Sequence, residues 1–303
     1  MSHARSPRHL SPALACAVAA GGIALFSIMD AFMKSLVLAI GVYNALLWRT
    51  MLSAAIGGAA WRVGGAPRPS ARALRLHVAR GTITTFMALL FFWGLARVPM
   101  AQAIALTYIA PLLALLLGAV FLHERVGPRV VGASLAALGG VAVILAGQAR
   151  MTLGAEALRG AAAILASAVL YAANLVVARL QSQAAAPREI AFVQSAVVAL
   201  LLLLAAPWLA KLPPGALWWQ IALAALLAVG SLFLLGWAYA HGEAGFLATS
   251  EYTSFVYAAL LGWAVFGEKV AVTTLAGAAI IVVACLYAAR RRDMAQSALQ
   301  GAA

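Results

Sequence analysis

Asp30, Arg49 and Glu251 are ionisable side chains set in otherwise apolar stretches of the chain. A charge at the centre of a bilayer costs about 2.5–3.5 kcal/mol on insertion scales, so such residues face a wet cavity or a partner and mark paths for protons or charged substrates. Asp30 has Ser27 three residues before it and Lys34 four after, which sets all three on one helix face. It reads either as a carboxylate that binds a proton or a substrate, or as half of an Asp30–Lys34 pair near the membrane surface with Lys34 snorkelling outward. Arg49, beside Trp48, offers a bidentate contact to a substrate carboxylate. Its alternative role is to neutralise Asp30 or Glu251. Glu251, near Thr249, Tyr252 and Ser254, is a second candidate for proton coupling; otherwise it is a structural partner for Arg49 or His241.

These positions recur. Displaced by 144 places, the two halves of the chain align without a gap: Asp30 falls on Asn174, Trp93 on Trp237, Tyr108 on Tyr252 and Gly118 on Gly262. Asn174 shares a helix face with Ser167 and Tyr171, so each half carries a polar strip at a matched place, and the two strips are expected to face one cavity. The pairs Trp93/Trp237 and Tyr108/Tyr252 are candidates for its wall, with helix packing as the alternative. Trp61, Trp208, Trp218 and Trp219, at span ends, read as interface anchors.

The elements that hold these residues follow from composition. Of 303 residues, 65% are hydrophobic and 10% charged, and the mean hydropathy is +0.99. Soluble domains carry about 25% charged residues, so this is an integral membrane protein. Apolar runs predict ten helical spans, near 12–36, 42–61, 76–96, 100–122, 128–148, 158–180, 189–209, 216–240, 244–266 and 271–289. The polar start, with Arg5 and Arg8 ahead of an apolar run, has a secretory leader as its rival reading, but the run continues past Ala20 with no convincing cleavage site. Fourteen Lys and Arg residues fall in the loops on the side of the N-terminus and six in the opposite loops, which predicts both termini in the cytoplasm. The net charge of +13 is therefore read as membrane topology, and no nucleic acid is expected as a partner.

Five spans per copy is an odd number, so the second copy should lie inverted relative to the first. The expected fold is an all-α membrane protein of ten transmembrane helices in two inverted five-helix repeats, 1–150 and 151–303, an arrangement built to expose one central site to either side in turn. Smaller features fit that frame. Glu124 and Glu268 should cap or tie helix ends. Gly132, Ala136 and Gly140 form a small-residue stripe for close packing, and Pro111 should bend or hinge its span. Proline is absent from the matching position, Phe255, so a proline bend is expected in one half only. Cys16 and Cys285 lie inside apolar spans, where neither a disulfide nor a metal site is expected. No catalytic arrangement, cofactor motif or phosphate-binding loop emerges.

Ala96-Arg97-Val98-Pro99-Met100-Ala101, then Pro111, Gly118, Glu124-Arg125, Gly132 and Gly139-Gly140 resemble the signature of the EamA family, the ten-helix branch of the drug/metabolite transporter superfamily. The likeness covers the whole chain, since the second half repeats it through Gly262, Glu268 and Lys269. It departs from it at Glu243 and Phe255, which stand where the first half has Pro99 and Pro111. The resemblance implies a secondary carrier of small molecules in a bacterial inner membrane, most similar to the amino-acid exporters, the exporter of aromatic amino acids among them. The alternative is carriage of another metabolite, such as a nucleoside derivative, a vitamin or a drug-like cation. A monomer suffices for such a carrier, because the two fused halves supply what paired small transporters obtain by dimerising.

Overall fold

In the computed structural model the described residues are 12–63, 65, 69–122, 128–149, 154–185, 187–241 and 250–300, and every regular element among them is helical. Arg5, Arg8, Arg68, Glu124, Arg125, Arg150 and Glu243 lie outside the described residues. The order is α1 (Pro12–Val63), α2 (Ala71–Leu95), α3 (Met100–Thr107), α4 (Ala110–Leu122), α5 (Pro128–Ala149), α6 (Gly154–Ser182) and α7 (Pro187–Leu204). Then come α8 (Ala206–Leu209), a 3-10 turn (Gly215–Leu217), α9 (Trp218–His241), α10 (Thr253–Phe266) and α11 (Val272–Gln300).

Five segments are long and apolar enough to cross a bilayer: Leu14–Ala59, Ala71–Leu95, Met100–Gly118, Ala155–Ala178 and Gly215–Ala238. Val131–Gly147, Phe192–Leu204, Thr253–Phe266 and Val272–Tyr287 are shorter apolar helices. Lipid is the solvent this surface requires: Leu38, Phe86, Leu135, Phe233, Trp263 and Val283 are all more than half exposed. The chain is a multi-pass membrane protein.

Helix α1 is two helices. Gly41 interrupts it at φ 79° and ψ 158°, a conformation that is essentially closed to residues with a Cβ. The chain turns back there. Phe32, before the bend, meets Trp219 with ring centroids 5.8 Å apart, and Trp48, after it, meets the adjacent Trp218 at 5.3 Å. The returning arm then runs beside α7, where the Tyr43 hydroxyl donates to the Leu202 carbonyl at 2.5 Å and Gly58 lies under Phe192. The neighbouring Trp218 and Trp219 thus divide their roles: Trp219, like Trp208, is largely exposed, whereas Trp218 packs inward on Trp48.

Small residues set the closest helix contacts. A Cβ on Gly94 would stand 2.5 Å from the Gly160 carbonyl oxygen, so α2 and α6 touch backbone to backbone. At the position 144 places on from Gly94, Ala238 packs against Ala15 and Ala19 between α9 and α1. Helices α5 and α11 meet at Gly140 and Gly277, where a Cβ on either would collide with the other's carbonyl. The small-residue stripe is shifted from its expected place: Ala133, Ala137 and Gly140 are buried in this contact, while Gly132 and Ala136 are exposed. One residue of rotation separates the buried face from the one the i, i+4 spacing suggested.

Candidate functional site

Asp30 is 2% exposed and its Oδ1 has no hydrogen-bond partner. At 1.5 Å per residue it lies about 16 Å along the helix from the Gly41 bend, and Arg49, on the returning arm, about 12 Å. Both therefore sit at a similar level along the two arms of the hairpin. Arg49 places Nη1 3.6 Å from Met29 Sδ and its guanidinium carbon 5.8 Å from the centre of the Phe92 ring, while its Nε has no partner. Arg49 is the charge that acts on Asp30, yet the two do not reach ion-pair distance. Thr50 Oγ1 and Ser53 Oγ, on the same arm as Arg49, are also buried without partners.

The Asp30–Lys34 pair does not form. Lys34 is 4% exposed, and its ammonium group donates to the Val98 carbonyl at 2.7 Å and bonds Glu268 Oε1. The other Glu268 oxygen accepts from the Met100 amide at 2.7 Å, capping the first turn of α3. A lysine four residues along a helix from an aspartate can point to it or past it, and here the carboxylate near two free helix-end groups outcompetes Asp30.

Tyr108 and Tyr252 touch, with ring centroids 5.2 Å apart and planes at 82°. The helical path breaks at both, between α3 and α4 and again just ahead of α10. Only the first break lies beside a proline, Pro111; the second forms without one, at Tyr252 and ahead of Phe255. In the second half the Tyr108 hydroxyl does the work: it accepts from the Phe255 amide at 2.9 Å, stands 2.7 Å from Ser254 Oγ, and lies 3.2 Å from the Tyr252 carbonyl. A side-chain oxygen inserted into the backbone ladder breaks a helix as effectively as a missing amide does. Cys285 Sγ donates to the carbonyl that the first break frees, Tyr108 O, at 3.3 Å. Glu251 is exposed beside this junction.

Asn174, the counterpart of Asp30, belongs to a buried chain of side chains. Arg80 Nε donates to Asn174 Oδ1 at 2.9 Å and Arg80 Nη1 to Gln181 Oε1 at 2.5 Å. Gln181 Nε2 lies 2.6 Å from His77 Nδ1, and His77 Nε2 lies 2.9 Å from Glu189 Oε1. Half-buried Tyr171 stands near Arg80. At the matched places in the other half stand Ile221, Ala224, Val37 and Ala45, all apolar and buried. His77 taken by itself gives no sign of this role in the sequence. A signal existed nonetheless: His77 and Arg80 are three apart on α2, and Asn174 and Gln181 seven apart on α6, so each pair shares a face.

The tryptophans stand apart from this centre. Trp93 lies under the Arg97 guanidinium at 3.5 Å, in a shallow depression with Gly41 and Glu156. Trp237 packs by Ala15, Ala19 and Ala238, the cluster at the place matching the Gly94–Gly160 contact of α2 with α6. The structure therefore brings together Asp30 with Arg49, Tyr108 with Tyr252 and Glu251, and Tyr171 with Asn174 through Arg80.

The same chain has relatives of known role. Over 273 residues it is 28% identical to the pseudopaline exporter CntI of Pseudomonas aeruginosa, covering 88% of this chain and 93% of that protein. It is 30% identical over 219 residues to the riboflavin transporter of Rhizobium johnstonii, covering 71% and 70%. A crystal structure superposes with a TM-score of 0.60 over 92% of this chain and 98% of that one at 23% identity, which bears on the fold. The family description matches twice, at residues 13–146 and again at 158–290, and so the chain belongs to the EamA-like transporter family.

Proposed function

We propose that this protein is a secondary carrier of a bacterial inner membrane that exports amino acids, aromatic ones included, by alternating access. With Leu14–Ala59 taken as two passes at Gly41, and each shorter apolar helix as one, the chain crosses the membrane ten times with both termini in the cytoplasm. The two halves, 1–150 and 151–303, are inverted copies. The observation that carries the reading is the contact between Tyr108 and Tyr252: residues at matched places in two inverted copies can meet only at the axis relating them, and both stand where a span is broken. Broken helices meeting at mid-membrane are where such carriers place their substrate. Asp30, Arg49, Tyr171, Asn174 and Glu251 surround that axis in the proposed path, with Trp93 and Trp237 toward its two ends. A monomer performs the cycle, no cofactor takes part, and the partners are the bilayer and a small-molecule substrate.

Purified protein in liposomes preloaded with labelled amino acids tests the reading. Efflux above protein-free vesicles is the expected outcome, and none across the whole panel would remove the substrate assignment. A second reading rests on the relatives, whose names give pseudopaline and riboflavin as cargo: the same path carries a different metabolite. Where coupling to protons operates, Asp30→Asn or Glu251→Gln should flatten the dependence of efflux on the pH gradient. An unchanged gradient response in both would assign the protein as a facilitator.

A further inference from the structure

Resting on the carrier reading above, we propose that Asp30 and Arg49 together form a recognition site for a zwitterion, in which Asp30 takes the ammonium group and Arg49 the carboxylate of one amino-acid headgroup. Four side chains on the two arms of the α1 hairpin, Asp30 and Thr50 buried and Arg49 and Ser53 half-buried, each have a buried atom without a protein partner: Asp30 Oδ1, Arg49 Nε, Thr50 Oγ1 and Ser53 Oγ. Buried polar atoms are nearly always satisfied, so unsatisfied ones on two facing arms require an explanation, and a bound polar ligand supplies one. Opposite charges free to approach inside a bilayer should close into an ion pair, because the attraction grows as the dielectric falls.

The other half of the molecule shows what closure looks like. Asn174, the matched and neutral residue, is bonded directly by an arginine at 2.9 Å, and that arginine's second contact, Gln181, is made as well. The neutral residue has its arginine, while the charged one is held away from its own. Arg49 is kept in place by Met29 and Phe92 rather than by Asp30. Lys34, the remaining cation on the Asp30 face, is fully committed to Val98 and Glu268. A ligand with adjacent cationic and anionic groups would satisfy Asp30 and Arg49 together, and the unpartnered hydroxyls of Thr50 and Ser53 would help hold its carboxylate. A ligand with only one charge leaves the opposite residue buried and unpaired.

Equilibrium binding to the full-length protein in detergent tests this with three probes: L-phenylalanine, 2-phenylethylamine, which lacks the carboxylate, and 3-phenylpropionate, which lacks the amine. The wild type should bind phenylalanine about ten- to a hundredfold more tightly than either half-ligand, the worth of one charge-assisted contact. Asp30→Asn should erase the advantage over 3-phenylpropionate while leaving 3-phenylpropionate itself unchanged, and Arg49→Gln should do the converse with 2-phenylethylamine. The double variant Asp30→Asn, Arg49→Gln leaves no lone buried charge, so it keeps the test open if a single variant does not fold. That variant should bind all three probes alike. Equal binding of the probes by the wild type, binding of none, or a parallel loss of all three in each variant would overturn the site. Efflux of amino acids that persists in the double variant would overturn the site and leave the carrier reading standing. Zwitterion-selective binding without efflux would keep the site and remove the carrier reading.

Discussion

Lys34 and Glu268 show how one side chain can organise several ends at once. The lysine reaches a carbonyl at the end of the α2–α3 connection, and the glutamate it pairs with caps α3 from the loop after α10. Both are largely buried, so their net contribution depends on the pair remaining whole: burying two charges is costly, but orphaning one is costlier. Lys34→Met alone should therefore lower unfolding stability by about 3–5 kcal/mol. Adding Glu268→Gln should return much of that loss. Thermal unfolding of both variants in the same detergent checks the pattern, and a double variant no better than the single would place the cost in packing instead.

At the scale of elements, the two breaks have different causes and invite different tests. Gly41 is backbone-determined: Gly41→Ala would force a Cβ into a conformation costing about 1–3 kcal/mol, with no steric neighbour to blame, since nothing lies within 4 Å of the position. A melting temperature equal to wild type would show that the hairpin relaxes without strain. The break ahead of α10 is held by a side chain. Tyr108→Phe keeps the ring contact with Tyr252 but removes the 2.9 Å bond to the Phe255 amide, which then has only its 3.3 Å bond to the Tyr252 carbonyl. About 0.5–1.5 kcal/mol of local stability should go with it. If this junction moves during transport, the variant should change the initial efflux rate more than the KM. A change in KM alone would make Tyr108 a binding residue and not a hinge.

For the whole molecule, the paired interfaces are the relevant evidence. Helix α2 packs on α6 as α1 packs on α9, with Gly94 and Ala238 at matched places, and α5 packs on α11 through Gly140 and Gly277. The inverted arrangement proposed above requires pairs of this kind. It also requires the loops beside Glu124 and Glu268 to emerge on opposite membrane faces. In a background lacking Cys16 and Cys285, a single cysteine beside Glu268 should react with an impermeant thiol reagent added outside intact cells, and one beside Glu124 only after permeabilisation. Equal labelling of the two would end the inverted arrangement.

What the sequence determined by itself is what depends on composition and spacing. A mean hydropathy of +0.99 admits only a membrane fold, and the 144-residue displacement exposes the duplication that the family match repeats. Asp30 and Arg49 were legible because isolated charges in apolar runs need a reason. Their failure to pair was not legible, nor was the preference of Lys34 for Glu268, 234 residues away. Partner choice among buried charges depends on which helix ends lie within a few ångströms, and local periodicity carries no such information. The chain from Asn174 to Glu189 had half its signal in the i, i+3 and i, i+7 spacings, but only the packing of α2 against α6 and α7 joined the halves. The second helix break had no local signal, because the oxygen that holds it open belongs to Tyr108, in the other half of the chain.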